Sequence, residues 1–315
     1  MPARLELRTF TRTQGSNQAL KDGTLTPRTC AFDFVEVSPL IHAFRRMVRG
    51  LEFDVCELAF TTYLCARAYG KPFTALPIFL VRGMHHGAIV RNTKAGVQTP
   101  KDLEGTRVGV DRGYTVTTGV WVRGILQDEY GVDLSRVTWV LSGDEHVAEY
   151  RPPACVVPAG EGTDIAELLT TGRLAAAIGV SVDHPEVVPL IPNPTEAAFR
   201  ALERQGLYPI NHLLVVRDDL LDTHPDLAVD IFNAFTAAKN LYVKRLADAP
   251  VAGLSGADRT YRRVMGLNGD PLPYGVEPNR PMIEKLIAHA VTQKILDEPP
   301  AIESLFHPST LGLTG

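Results

Sequence analysis

The sequence lacks the long apolar run that a membrane-spanning helix would need. No stretch approaches the roughly 18 consecutive apolar residues of such a helix, so no segment is predicted to cross a membrane. The segment 1–10 instead alternates apolar and charged side chains, which is typical of a half-buried strand and unlike a signal peptide. These absences predict a cytoplasmic protein with no membrane partner.

Runs of like charge are also missing. The chain carries 32 Lys and Arg residues against 36 Asp and Glu residues, a formal net charge of -4, without any block of like charges. Binding to nucleic acid requires a basic face that neutralises phosphates. The sequence therefore predicts that nucleic acid is not a partner.

Cysteine is scarce, and no metal or nucleotide motif accompanies it. The four cysteines are scattered without a Cys-x-x-Cys motif, which disfavours a zinc ribbon or a redox pair. No His-Glu-x-x-His, Gly-x-Gly-x-x-Gly or Walker-type motif occurs either. We therefore expect no metal and no cofactor, and we expect reduced core cysteines at Cys30, Cys56, Cys65 and Cys155.

Short apolar strands alternate with amphipathic helices over most of the chain. This alternation predicts an α/β protein with mainly parallel sheets, and 315 residues predict about two domains. The predicted strands are 53–56, 74–81, 107–110, 138–141, 175–180 and 213–216. The predicted helices are 61–69, 116–130, 165–171, 194–205, 225–245 and 281–296. The segments 143–162 and 183–194 are rich in proline and are predicted to be irregular.

Polar residues follow the first of these strands, and the ends of strands are where α/β proteins bind ligands. Glu57 comes directly after the strand 53–56, and Thr61 and Thr62 stand where the next helix begins. The threonines could cap that helix beside an anion site. A surface cap next to a solvated Glu57 explains the same pattern, so both interpretations stay open.

A second polar cluster follows the strand 74–81. Arg82 offers a planar carboxylate fork, and His85 and His86 can exchange a proton near neutral pH. Neighbouring residues of an extended segment point to opposite faces, so the two histidines cannot chelate one metal ion as a strand. We expect one of them to face a cleft and the other to pack or to be solvated.

A third cluster stands at the start of the helix 116–130. Backbone N–H groups and hydroxyls there could bind a carboxylate, and they belong to Tyr114, Thr115, Thr117 and Thr118. Arg123 lies inside the same helix, where an interior salt bridge and a ligand contact are both open. Separately, His212 precedes the strand 213–216 and is predicted at a sheet edge or a domain crossing.

Several segments together resemble the 4,5-dihydroxyphthalate decarboxylase family. They are FDVCE at 53–57, PIF at 77–79 followed by Arg82 and His86, VWVRGILQDEYGV at 120–132, and YPINH at 208–212. That family is similar in turn to type II periplasmic binding proteins. The sequence departs from the family pattern at His85, where an arginine is expected, and in the turn before Thr115, which is one residue longer.

The resemblance implies two interleaved α/β lobes and a cytoplasmic enzyme. Lobe one would comprise 1–90 and 206–315, lobe two would comprise 91–205, and the ligand cleft would lie between them. It implies a small aromatic carboxylate as substrate and needs no cofactor, because a phenol of the substrate supplies the electrons. The sequence leaves the oligomeric state open, including a homo-oligomer.

The resemblance also suggests a role for each candidate residue. His86 is the expected general acid, and either His212 or Glu57 is the expected base. The expected substrate-binding residues are Arg82, His85, Tyr114, Thr115, Thr117, Thr118 and Arg123. Two alternatives remain: a cytoplasmic binding or sensor protein for a carboxylate, without catalysis, and a metal-dependent decarboxylase.

Overall fold

The computed structural model describes residues 4–315, which divide into two compact units. The first unit comprises the chain up to Gly83 together with Ile210–Glu284 and Pro300–Gly315. The second unit comprises Met84–Pro209 and Lys285–Pro299. Each unit contains one β-sheet with helices packed around it, so the α/β fold class predicted from the sequence is confirmed.

Strands and helices alternate along the chain, as short apolar and longer amphipathic segments predict. The strands are β1 (Leu5–Phe10), β2 (Cys30–Phe34), β3 (Val55–Ala59), β4 (Phe73–Arg82), β5 (Ile89–Asn92), β6 (Arg107–Val110), β7 (Thr138–Leu141), β8 (Val156–Pro158), β9 (Ala176–Ile178), β10 (Val187–Pro189) and β11 (Ile210–Arg217). The helices are α1 (Gln18–Lys21), α2 (Leu40–Gly50), α3 (Phe60–Ala68), α4 (Thr117–Tyr130), α5 (Ile165–Thr170), α6 (Pro194–Gln205), α7 (Asp218–Thr223), α8 (Leu227–Asp248), α9 (Gly256–Asn268) and α10 (Arg280–Thr292).

The first unit is built on a five-stranded sheet in the order β2-β1-β3-β11-β4. β1 pairs in parallel with β2 and β3, while β11 pairs antiparallel with β3 and β4. Apolar side chains of the sheet, such as Val55 and Leu214, form one buried cluster with Phe232 and Phe235 of α8. Since all five residues of β3 are buried, its central glutamate is enclosed in the protein interior.

The second unit is built on a six-stranded sheet in the order β10-β5-β9-β6-β7-β8. β6 pairs in parallel with β7 and β9, and β7 with β8, while β5 pairs antiparallel with β9 and β10. α4 ends at Tyr130 and is followed by Gly131, whose left-handed backbone (φ 64) closes the helix. α6 begins with Pro194, at the one helical position where the missing N–H costs nothing.

Most predicted elements are present, and the exceptions have physical reasons. β6, β7 and α6 have the predicted bounds. The predicted irregular segments 143–162 and 183–194 instead contribute the edge strands β8 and β10. Each of these strands ends in a proline, which a sheet edge tolerates because the missing N–H would face away from the sheet.

Two further sequence predictions need correction. Helix α8 begins at Leu227, so Pro225 precedes the helix and is not part of its first turn. The segment Lys285–Pro299 belongs to the second unit, whereas the sequence assigned it to lobe one. Of the four free cysteines, three are buried as predicted and Cys155 is half-buried.

Candidate active site

Glu57 and His212 form a buried carboxylate–imidazole pair in the first unit. Glu57 lies at the centre of β3 and its side chain is 0% exposed, while His212 lies in the adjacent strand β11 and its side chain is 13% exposed. His212 Nδ1 is 2.6 Å from Glu57 Oε1. Because a carboxylate only accepts hydrogen bonds, Nδ1 carries the proton, and a neutral ring is then basic at Nε2.

The positions of this pair differ in part from the sequence predictions. Glu57 is inside a strand and not after one. His212 lies in a strand flanked on both sides and not at a sheet edge, but the predicted alternative of a domain crossing holds, because the first unit resumes at Ile210. Helix α3 is preceded by Ala59 without any side-chain cap, and Thr61 and Thr62 are buried inside the helix. The predicted threonine cap and the alternative of a solvated Glu57 are therefore both wrong.

Arg12 is a neighbour of Glu57 that the sequence analysis missed. Its backbone N–H donates to Glu57 Oε2 at 3.0 Å, and its Nε lies 3.2 Å from Oε1. Arg12 is in the loop after β1, and the carboxyl ends of the parallel strands β1 and β3 share one edge of the sheet. A signal was present in the sequence, since Arg12 follows a predicted strand just as Glu57 does.

Arg82 is the last residue of β4 and is also part of the first unit. Its side chain is buried, and its Nη2 donates to the Oδ1 of Asn279. Asn279 is fixed in turn because its Nδ2 donates to the carbonyl groups of Pro273 and Gly275. Asn279 thus binds one nitrogen of the Arg82 guanidinium, which the sequence predicted to bind a carboxylate.

His86 forms the second carboxylate–imidazole pair, within the second unit. Its Nε2 lies 3.1 and 3.2 Å from the two carboxylate oxygens of Glu129, near the end of α4. His86 is 2% exposed, and within residues 4–315 no hydrogen-bond partner contacts its buried Nδ1. His85 and His86 are both buried around a 3-10 turn, so neither is solvated and the expected alternative of packing in the interior holds.

The turn before α4 already holds a carboxylate of the chain. The backbone N–H groups of Tyr114 and Thr115 donate to Glu145 at 2.5 and 3.1 Å, and the Thr115 hydroxyl donates to it at 2.6 Å. A Cβ atom on Gly113 would lie 2.7 Å from this carboxylate, so the turn depends on glycine there. Of the donors that the sequence assigned to a ligand, those of Tyr114 and Thr115 therefore bind Glu145.

Helix α4 begins at Thr117, with Val116 before it and no side-chain cap. Thr117 is buried and Thr118 is partly buried in the first turn.

Arg123 is completely buried inside α4. Its Nε donates to Gln293 at 2.7 Å and its Nη2 donates to the Tyr114 carbonyl at 2.6 Å, while its guanidinium stacks on the Tyr114 ring at 3.9 Å. Burial lowers the pKa of Arg123 and raises that of Tyr114. Of the two alternatives for Arg123, the interior salt bridge is absent among the described residues, because a neutral amide and a carbonyl take its place.

Within residues 4–315, no group of three or more His, Cys, Asp or Glu side chains is arranged to hold a metal ion. No helix in the same part of the chain is long and apolar enough to cross a membrane.

The two sheets define an α/β protein with the fold of periplasmic binding proteins, here with a buried Glu–His pair in each unit. The periplasmic aliphatic sulphonate binding protein of Escherichia coli has this fold, with a TM-score of 0.52 and 12% identity over 98% of this chain and 92% of that protein. At this identity the likeness concerns the fold alone. No protein-family model matches the chain.

Two relatives identify the family. A 4,5-dihydroxyphthalate decarboxylase of Comamonas testosteroni is 32% identical over 287 residues, which cover 85% of this chain and 86% of the relative. One of Pseudomonas putida is 33% identical over 176 residues, which cover 50% of this chain and 68% of the relative. The chain belongs to the 4,5-dihydroxyphthalate decarboxylase family, and it is an enzyme, a carboxy-lyase. The resemblance seen in the sequence is thus confirmed.

Proposed function

We propose that this enzyme converts 4,5-dihydroxyphthalate to protocatechuate and CO2 by protonating the ring carbon that carries the departing carboxylate. The observation that carries the proposal is the presence of two Glu–His pairs in a member of this family, one with a buried Glu57 and the other with a buried His86. The reaction needs a base at the phenol para to the leaving group and an acid at the ring carbon. Two oriented imidazoles are the groups that such chemistry requires near neutral pH.

His212 is the base in this proposal. Both oxygens of Glu57 are occupied by contacts with Arg12 and His212, so the imidazole is the member of the pair that we assign to the substrate. The Nδ1–H bond to Glu57 fixes the ring and stabilises the imidazolium that forms when His212 takes the phenolic proton. The resulting phenolate pushes its electron pair toward the para carbon.

His86 is the acid in this proposal. It donates a proton to the para carbon, which becomes tetrahedral, and the carbon–carboxylate bond then breaks to release CO2 and restore the aromatic ring. Its contact with Glu129 holds the imidazole in place for the transfer. His212 returns its proton to the phenolate, so the net change is one proton taken up for each carboxylate lost.

Arg82 is the group proposed to hold the carboxylate that the substrate keeps. Its guanidinium is oriented by Asn279, and an arginine fork matches the planar geometry of a carboxylate. The turn at Tyr114 and Thr115 could serve the same purpose only if a substrate carboxylate displaced Glu145.

The proposal is tested by incubating the purified protein with 4,5-dihydroxyphthalate while measuring CO2 release and protocatechuate. We expect one CO2 for each protocatechuate formed. Tight binding of 4,5-dihydroxyphthalate without product would contradict the proposal and favour the binding-protein alternative. Loss of activity after exhaustive chelation, with recovery on adding a divalent metal, would contradict a purely acid–base mechanism.

Replacing the proposed acid gives a sharper test. His86→Ala should lower kcat by about 100-fold to 10,000-fold, the usual contribution of a general acid, with a much smaller change in KM. The matched control is His224→Ala, because His224 is an exposed histidine at the end of α7. Equal kcat values for wild type and His86→Ala would remove His86 from the mechanism.

A further inference from the structure

We propose that Arg12 is a positioning residue that acts on His212 through Glu57, an inference that rests on the proposed function. Glu57 Oε1 accepts the Nδ1–H of His212 and faces Arg12 Nε, and Oε2 accepts the backbone N–H of Arg12. Both carboxylate oxygens are therefore held, and the carboxylate plane cannot rotate without breaking a contact. Since the carboxylate plane sets the direction of the imidazole, Arg12 helps to orient the base.

Charge gives a second reason for this role. Glu57 is completely buried, and an ionised carboxylate that leaves water requires a compensating partner of opposite charge. A neutral His212 supplies a hydrogen bond but no positive charge. The Arg12 guanidinium supplies that charge while 41% of its side chain stays exposed, so Glu57 has a partner of opposite charge besides its hydrogen bond with the imidazole.

The loop that carries Arg12 is built to keep it in place. Asn17 is completely buried, and its Nδ2 donates to the Arg12 carbonyl at 2.9 Å and to the Thr11 hydroxyl at 3.1 Å. Asn17 Oδ1 accepts the backbone N–H of Gln14 at 2.9 Å. One buried side chain thus fixes the path of the chain on both sides of Arg12.

His212 has a further contact that limits the movement of its ring. The ring of Phe44, on α2, meets the imidazole edge-to-face with centroids 5.2 Å apart. Phe44 is apolar and constrains only the position of the imidazole. The hydrogen bond to Glu57 is what specifies the tautomer, and the contact between Glu57 and Arg12 supports it.

The test compares Arg12→Ala and Arg12→Lys with wild type in steady-state decarboxylation. Arg12→Ala keeps the backbone N–H but removes the guanidinium, so we expect kcat to fall about 10-fold to 100-fold, as for groups that orient a catalytic residue. KM should stay within about twofold, because a positioning residue does not bind substrate. Arg12→Lys should retain an intermediate kcat, and added guanidinium ion should partly restore Arg12→Ala.

The control is Arg204→Ala, because Arg204 is an exposed arginine near the end of α6. It should leave kcat and KM unchanged and should not respond to added guanidinium ion. An Arg12→Ala variant with a raised KM and an unchanged kcat would overturn the proposal, because Arg12 would then bind substrate directly. Unchanged values of both constants would overturn it as well.

A readout without substrate separates this proposal from the proposed function. The Nδ1 proton of His212 gives a strongly downfield NMR resonance when it is held by Glu57, and His212→Gln identifies it. We expect this resonance to shift or broaden in Arg12→Ala and to persist in Arg204→Ala. If wild type lacks decarboxylase activity but the resonance responds in this way, the proposed function fails while the positioning of His212 by Arg12 stands. An unchanged Nδ1 proton resonance in Arg12→Ala would contradict the positioning role of Arg12.

Discussion

At the scale of single residues, burial decides what Glu57 and His212 can each do. Glu57 has no exposed surface, and its two oxygens are occupied by Arg12 and His212. Such a carboxylate can orient and stabilise an imidazole, and we therefore assign the contact with substrate to His212. The sequence alone left the base open between the two residues, because exposure depends on which strands lie on either side of β3.

Glu57→Gln tests this division of roles. The amide has nearly the same shape, but its NH2 group must face either the Arg12 N–H or the His212 Nδ1–H, so one donor loses its acceptor. We expect kcat to fall about 10-fold to 100-fold and the free energy of unfolding to fall by about 1–3 kcal/mol.

Steady-state kinetics and urea unfolding measure the two effects. Glu203→Gln, at an exposed position of α6, is the control and should change neither quantity. A wild-type value of kcat in Glu57→Gln would show that the enzyme does not need the negative charge of Glu57 for catalysis.

At the residue scale, the sequence is informative where the signal is local. The catalytic roles of His86, His212 and Glu57 stay predictions, but the three residues could be selected as candidates from residue type and position near strands. Their partners could not, because Glu129 is 43 positions from His86 and Glu57 is 155 positions from His212. Glu145, which is 31 positions from Tyr114, was missed for the same reason.

At the scale of elements, α4 and α10 meet through a glycine. His289 of α10 packs on Gly124 of α4, where an added Cβ would lie 2.4 Å from the imidazole Nε2. The Trp121 ring meets the same imidazole edge-to-face at 5.6 Å. The glycine therefore allows the imidazole to approach the helix backbone closely.

Gly124→Ala should destabilise the protein despite the better helix propensity of alanine. The side chain of His289 is buried and cannot move aside freely, so overpacking should lower the free energy of unfolding by about 1–3 kcal/mol. The matched control is Gly266→Ala in α9, where no atom lies within 4 Å of an added Cβ.

That control should raise the free energy of unfolding by about 0.5–1 kcal/mol. Calorimetric melting measures both variants, and a Tm shift of the same sign in both would contradict the packing argument.

Helices and strands were predicted correctly where the periodicity of apolar residues agreed with the proline and glycine residues that mark the ends of elements. α6 begins at a proline and ends at a glycine, and both of its bounds follow from the sequence. β8 and β10 were missed because their neighbours in the sheet, and not their own composition, make them strands. The start of α8 was wrongly predicted at Pro225, because a proline also fits the turn that precedes a helix.

At the scale of the whole molecule, the least predictable feature is the assignment of Lys285–Pro299 to the second unit. Gln293 accepts a hydrogen bond from Arg123 and donates one to the Val120 carbonyl, so this segment packs with α4. The order of elements along the chain carries no information on that contact. The fold class itself was predictable because the alternation of strands and helices extends over the whole sequence.

The stability of the molecule should depend on pH through His289. Burial lowers the pKa of His289 from 6.5 to about 4, so the unfolded chain binds more protons between these values. The neutral imidazole therefore contributes stability that is complete above pH 6.5 and is lost as the pH falls toward 4. The contribution is at most about 3 kcal/mol.

Urea unfolding of wild type and His289→Gln at pH 7 and at pH 4 tests this dependence. Both tryptophans of the chain, Trp121 and Trp139, lie in the second unit with His289, so their fluorescence reports its unfolding. We expect the free energy of unfolding of wild type to fall more steeply with acid than that of His289→Gln. Parallel curves for the two proteins would contradict the role of His289.

The place of Glu57 inside a completely buried strand also has a consequence for folding. Successive side chains of a strand point to opposite faces, so a slip of β3 by one residue against its neighbours would turn Glu57 away from Arg12 and His212. The carboxylate would then be buried without a partner, which is strongly unfavourable. The pair that we assign to catalysis thus also penalises misaligned pairings of β3, so the register that the sheet adopts is also the one that assembles the base.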